Sequence, residues 1–228
     1  MKEEFTASDG SDLSRAEFLA KFYAEEKPPR EALDHFAGIP WTSRWMADPA
    51  YKIIPTFLRY LKPTGEDFFF SRTANTPSTI PHMISLQLRD FTTPAEEEDA
   101  RRSLPIAGRR PDLAFLVQFG RAGLDGQRPA AIHEGVACAI LDETMAVVVN
   151  LHRCNLAGQR GLDGSIFTAN LTTHFHAPVS APGQVVVKCW LVRRARRKWL
   201  TTAHVVDERG EVLVQADAVW VVARKTKI

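Results

Sequence analysis

The stretch Ala131-Ile132-His133-Glu134-Gly135-Val136-Ala137-Cys138-Ala139-Ile140-Leu141-Asp142-Glu143-Thr144-Met145-Ala146-Val147-Val148-Val149 decides how this chain folds. A strand-like apolar run at 113–119 and a Gly-rich loop at 120–129 lead into it. From 134 to about 151 the apolar residues are too dense for a single stripe, which reads as a helix hydrophobic on nearly every side. Such a helix has to be wrapped by other structure. Two adjacent carboxylates, Asp142 and Glu143, stand in its middle. Burying a carboxylate is unfavourable unless it is paired, hydrogen-bonded or protonated, so these acids are either satisfied structural groups or functional ones.

Downstream, strand signals follow one another at 166–176, 185–194, 198–206 and 212–222. Asp207-Glu208-Arg209-Gly210 is a hairpin signal between the last two. Ala216-Asp217-Ala218-Val219-Trp220 alternates small and larger residues, as where a sheet face lies close against a helix. Upstream, 1–12 reads as a disordered start. Ser14-Arg15-Ala16-Glu17 has capping-box spacing for a first helix, and further helices are expected over 28–38 and 48–62. Phe68-Phe69-Phe70 and 83–88 read as extended, and 92–112 as an exposed loop whose Glu96-Glu97-Glu98-Asp99 run is a solvated face. The expected architecture is α+β. A helical N-terminal extension, 1–65, precedes a domain, 66–228, in which five or six antiparallel strands wrap one long helix.

Bulk properties exclude several classes. The 29 basic and 27 acidic side chains give a net charge of +2, which offers no argument for nucleic-acid or membrane-surface binding. No uninterrupted apolar run reaches the roughly 18 residues of a membrane span, and the acidic, polar start is unlike a secretory signal. Three scattered cysteines without a CxxC pair suit reduced thiols, hence a cytoplasmic setting. Cys138 reads as a core residue, and His174 and His176 lack a third ligand at sensible spacing, so no metal is expected. The basic turn Arg193-Arg194-Ala195-Arg196-Arg197-Lys198 has two readings: a dock for the phosphates of coenzyme A or an acidic carrier-protein surface, or a solvated hairpin end.

The order strand, loop, His133-x-Gly135, apolar helix with Asp142, then four antiparallel strands resembles the hotdog-fold acyl thioesterases of the bacterial phenylacetate-pathway type, together with the vertebrate thioesterase-superfamily members similar to it. Residues 80–224 carry the resemblance. On that pattern Gln127 takes the position of the loop amide, His133 and Gly135 belong to the turn at the helix start, Asp142 is the helix acid, and Thr168 is the hydroxyl of the next strand. Glu134 departs from it, because the family usually has a second Gly there. The N-terminal part, with Ile39-Pro40-Trp41 and Thr79-Ile80-Pro81, looks like fungal members of the group.

The resemblance implies hydrolysis of an acyl thioester, with no cofactor beyond the coenzyme A or phosphopantetheine of the substrate itself. It implies a homodimer or homotetramer whose active sites form across subunits, and a carrier protein as a further partner. A trans-acting releasing or editing enzyme of polyketide assembly is the specialisation that the fungal likeness suggests. Asp142 would act as general base or nucleophile, Thr168 would hold the water, and Gln127 would position the carbonyl. The amides of Glu134 and Gly135, at the positive end of the helix, would receive the oxyanion. Asp142 lies about two and a half turns from that end and cannot serve its own helix start. A hotdog dehydratase or cyclase, and a non-catalytic acyl-binding module, are the alternatives.

Overall fold

The computed structural model describes residues 5–6, 12–13, 15–62, 65–96, 106–122, 126, 130–156 and 164–223, with side chains from residue 18 onward. Phe5–Thr6 (β1) pairs antiparallel with Asp12–Leu13 (β2), so the described residues of the start expected to be disordered form a strand pair. Helices α1 (Arg15–Glu25), α2 (Arg30–Ala37) and α3 (Pro40–Ala47) follow. The third was not foreseen, although Pro40 at its first position is a good helix start.

The helix expected over 48–62 does not form. Tyr51–Ile54 is a strand (β3), followed by a 3₁₀ turn at Phe57–Arg59. Tyr51, Ile53 and Ile54 favour a pleated surface, and Pro55 disfavours helical backbone at the residue before it. Phe68–Phe70 is likewise not extended: the chain makes a wide helical turn at Phe69–Thr73. That turn wraps the buried guanidinium of Arg59, which donates to the carbonyls of Ala74 (3.1 Å) and Ile80 (2.5 Å) and to Asn75 Oδ1. Burial pushes the Arg59 pKa down to about 10. A cation taken out of water needs these acceptors, and that requirement shapes the local chain.

The main sheet has seven antiparallel strands in the order β3-β4-β5-β7-β8-β9-β6, with β4 at Met83–Leu88, β5 at Leu113–Phe119, β6 at Ile166–Phe175, β7 at Gly183–Ala195, β8 at Lys198–Val206 and β9 at Val212–Val222. The added strand β3 comes from the segment read as a mainly helical extension. Helix α4 (Glu134–Asn155) crosses the inner face, where Leu141, Met145, Val148 and Val149 meet Phe115, Val187, Leu191, Ala216 and Ala218. The two alanines let β9 approach the helix, as their alternation suggests. Although α4 has the length and hydropathy of a membrane span, 56% of its apolar window is buried within the fold, as in a core helix.

The outer face carries a second core. Ala32, Phe36 and Tyr51 cover Ile84, Leu86, Ala114, Leu116, Val186 and Val206. Strands β4 and β5 are therefore buried on both faces and read as nearly continuous apolar runs. At the other end of the sheet, β6 is mostly exposed.

Candidate functional site

Three side chains spaced four residues apart on α4, Glu134, Cys138 and Asp142, form a stripe that faces β6. Glu134 lines a pocket with Phe175 and His176, Cys138 Sγ meets Thr173 Oγ1 at 3.8 Å, and Thr168 Oγ1 donates to Asp142 Oδ1 at 2.9 Å. Helix and strand thus run antiparallel along a shared seam.

The seam depends on an irregularity in β6. Thr168 pairs with Trp220 and Asn170 with Val219, so Ala169 is an extra residue in the strand. Thr168 faces the helix, and so do Leu171, packed on the inner core, and Thr173. An odd separation puts residues on opposite faces of a regular strand. The bulge resets the alternation and keeps all three on the helix side.

The Asp142 carboxyl is held above the usual carboxylate range by burial, with the Thr168 hydrogen bond pulling the other way. Its neighbour Glu143 faces the N-terminal segment. Burial first, then the charges of Asp67 and Asp142, push Glu143 up to about 7, opposed by Lys62. The Lys62 ammonium is itself buried, pairs with Asp67, and lies 3.8 Å over the Phe57 ring. Asp142 and Glu143 are therefore distinct groups, one turned to the seam and the other to the extension.

At the helix start, His133 is the N-cap, and its Nδ1 accepts from the Gly135 N–H at 3.0 Å. The ring proton then sits on Nε2. A Cβ at Gly135 would lie 3.2 Å from that Nδ1, close enough that the ring would have to give by a few tenths of an ångström. The Gly135 amide assigned to an oxyanion in the sequence reading is thus engaged by His133. The adjacent pocket is small, about 130 Å³, and is walled by Ile132, Glu134, Ala137, Phe175 and Val179. Gln127 lies outside the described residues.

The basic turn is not uniform. Arg193 and Arg194 lie within β7 and are buried, whereas Arg196 is exposed with Arg197 and Lys198. Arg194 reaches Glu96 Oε2 at 3.4 Å and packs over Trp199. An arginine so enclosed is a brace for the 92–96 segment; only Arg196 of the three candidates is open to an incoming phosphate. Among the described residues no group of three or more His, Cys, Asp or Glu is arranged to hold a metal.

Sequence reasoning missed a buried network at the far end of α4. His152 Nε2 meets Asp112 Oδ2 at 3.1 Å, and His152 Nδ1 meets Thr93 Oγ1 at 3.0 Å. Asp112 also accepts from the Leu191 N–H at 2.7 Å and lies 3.5 Å from Arg109. The described ends of the 92–112 segment are therefore tied to helix and sheet rather than merely solvated. The one available signal was a lone Asp directly before an apolar strand.

A long helix wrapped by one antiparallel sheet is the hotdog fold. Residues 130–214, less than half of the chain, match the sequence profile of the thioesterase superfamily, in agreement with the hotdog-thioesterase resemblance read from the sequence. No curated protein matches the chain. Among solved structures, similar chains include a Bacillus halodurans protein with CoA (17% identity, TM-score 0.40, covering 48% of this chain and 66% of that one). Another is the E. coli PaaI protein from the phenylacetic acid degradation operon (11%, TM-score 0.42, covering 50% and 74%). A third is a putative thioesterase from Lactococcus lactis (16%, TM-score 0.41, covering 50% and 85%). These are remote likenesses of fold.

Proposed function

We propose that the protein hydrolyses an acyl thioester of coenzyme A or a carrier protein, with Asp142 as the group that activates water. The superfamily match supports thioester hydrolysis as the class of chemistry. The observation that carries the assignment to Asp142 is its hydrogen bond with Thr168 on an exposed strand, beside a carboxyl whose proton affinity is raised by burial. A carboxylate with raised affinity is a better base. It takes a proton from water, the water oxygen bonds to the acyl carbon, the C–S bond breaks, and the departing thiolate takes that proton back from Asp142. Thr168 orients the carboxylate, and by rotating its hydroxyl can also hold the water.

One copy supplies only half of such a site. Glu134 and Asp142 are eight residues apart on one helix, about 12 Å by the helical rise. The pocket at the helix start, about 130 Å³, is well below the roughly 300 Å³ at which ligand sites begin. A homodimer joined through β6 would bring the helix start of one copy toward Asp142 of the other. Phe167 and Phe175, 59% and 46% exposed on that strand, favour such a joint.

Glu134 at the pocket favours a second reading, in which acid–base work on a bound acyl chain replaces hydrolysis, as in a dehydratase or cyclase. Thiol release from a panel of acyl-coenzyme A substrates and matched carrier-protein thioesters, polyketide-type chains included, separates the two. Release that vanishes in Asp142→Ala supports hydrolysis; altered acyl products without thiol release would replace it by the second reading.

A further inference from the structure

On the outer face of the sheet, away from α4, lies a groove of about 550 Å³ bounded by α3, the 108–111 loop and the β8–β9 hairpin. Its volume falls within the range of small-molecule sites. The walls are built rather than incidental. Tyr51 Oη donates to the Pro111 carbonyl (3.1 Å), Trp190 Nε1 donates to the Arg109 carbonyl (3.3 Å), and Arg110 pairs with Asp48 (2.5 Å). The hairpin is preformed by Asp207 Oδ1, which accepts from the N–H groups of Arg209 and Glu211.

The lining is aromatic and cationic together. Trp41, Arg44 and Trp45 share one side of α3, at i, i+3 and i+4, and Asp48 follows as its C-cap. Lys188 rises from β7 with its Nζ 5.5 Å from the Trp45 ring centroid, and Arg209 comes from the hairpin. Two of the groove's carboxylates are already engaged, Asp48 by Arg110 and Ala50 N–H, and Asp207 by its turn. Among the described residues no ion pair of Arg44, Lys188 or Arg209 is formed, and the lining carries five cations, Arg109 and Arg110 included, against the three carboxylates of Asp48, Asp207 and Glu208. Half-burial depresses the Lys188 pKa, consistent with a cation short of compensating charge. Trp45 is flanked by Lys188 and Tyr51, while Trp41, partly buried against the outer core, lines the groove with no aromatic ring beside it among the described residues.

We propose that this groove binds a planar aromatic anion of the nucleoside-phosphate class, its ring on Trp41 and its phosphate on Arg44, Lys188 and Arg209. Flat bases stack on indole faces, and arginine forks suit phosphate oxygens. The ligand has two sources, a free nucleotide or the nucleotide end of coenzyme A. Lys188 projects to the face opposite Val187 and Cys189, which pack on α4, so a ligand here is separated by the sheet from Asp142 of the same chain.

The test is intrinsic tryptophan fluorescence and calorimetry on the full chain, titrated with AMP, adenosine, inorganic phosphate and coenzyme A at low salt. Saturable AMP binding is expected, with adenosine and phosphate each at least about tenfold weaker, and with AMP weakened about tenfold by Arg44→Ala and by Arg209→Ala. Both arginines are at the surface, and an unchanged melting curve certifies the variants. Competition between AMP and coenzyme A identifies the coenzyme as a source; AMP binding without competition assigns free nucleotide. Phosphate binding as tightly as AMP, adenosine doing so, no saturable AMP binding, or indifference to both arginine variants would each overturn the proposal. Because binding is read without turnover, this result is independent of the hydrolysis assay.

Discussion

Glu143→Gln isolates the electrostatic situation of the helix acids. In the folded chain the carboxyl titrates at about 7, against an ordinary value of 4.5. Between those two values the folded state holds a proton that the unfolded state has released. Stability therefore falls as pH rises through that window, and below it the group contributes nothing to the pH dependence. At about 1.4 kcal/mol per pH unit the interval sets a ceiling of about 3 kcal/mol, and solvent reaching a carboxyl that is not fully enclosed reduces this to about 1–2 kcal/mol. Glutamine keeps the shape and removes the charge. Urea denaturation at pH 4 and pH 8, comparing variant with wild type at each, measures the effect; the comparison cancels groups that titrate alike in both proteins. The variant should match wild type at pH 4 and exceed it by about 1–2 kcal/mol at pH 8. An equal difference at both values, or a variant weaker at pH 8, would refute a repulsive, desolvated Glu143.

Asp142→Asn should lower turnover by about a hundredfold or more while leaving the fold intact, as steady-state thiol release and far-UV circular dichroism would show. Thr168→Val removes the donor to Asp142: kcat/KM should fall about fivefold, corresponding to about 1 kcal/mol, and the acid limb of the pH–rate profile should move to higher pH because that bond pulls the carboxyl down. A fall in rate with an unmoved limb would mean that Thr168 acts on substrate rather than through Asp142. Asp112→Ala leaves His152 and the Leu191 N–H without their shared acceptor, and should destabilise the fold by about 2–4 kcal/mol in denaturant titration. A change under 1 kcal/mol would show that solvent satisfies both groups.

The architecture was legible where one periodicity acts over many residues. Helix α4 and strands β5 to β9 follow from apolar density, alternation and the Asp207–Gly210 turn, whereas Thr168 was singled out beside Asp142 only through the family resemblance. Elements decided by neighbours were not legible. Apolar residues at Tyr51, Ile54, Phe57 and Leu58 fit a helical stripe, yet Pro55 and the open edge of β4 draw Tyr51–Ile54 into the sheet. The turn at Phe69–Thr73 answers to Arg59, at least ten residues away, whose burial no local pattern announces. The bulge at Ala169 is equally silent, since it is defined by the register of β9. Arg193 and Arg194 read as surface charge because composition reports a turn, whereas strand β7 runs through both and buries them.

The two edges of the sheet are treated differently, and the difference bears on assembly. Strand β3 is four residues long, ends before Pro55, and lies where α2 and α3 cover the outer face. Short length and a neighbouring proline are devices that blunt an edge against further pairing. Strand β6 has ten residues, no proline, and large exposed aromatics at 167 and 175. An edge left long and apolar while the opposite one is blunted is the expected surface for a second copy, and it is also the strand that carries Thr168. Phe167→Lys places charge on this edge without touching Asp142 or the pocket at the helix start. Sedimentation should then give the 25.5 kDa of a single chain, and hydrolysis should fall in step with the loss of dimer. A monomeric variant with full turnover would show that one copy suffices, and Asp142 would have to work with groups of its own protomer. A variant that stays dimeric would move the joint away from β6.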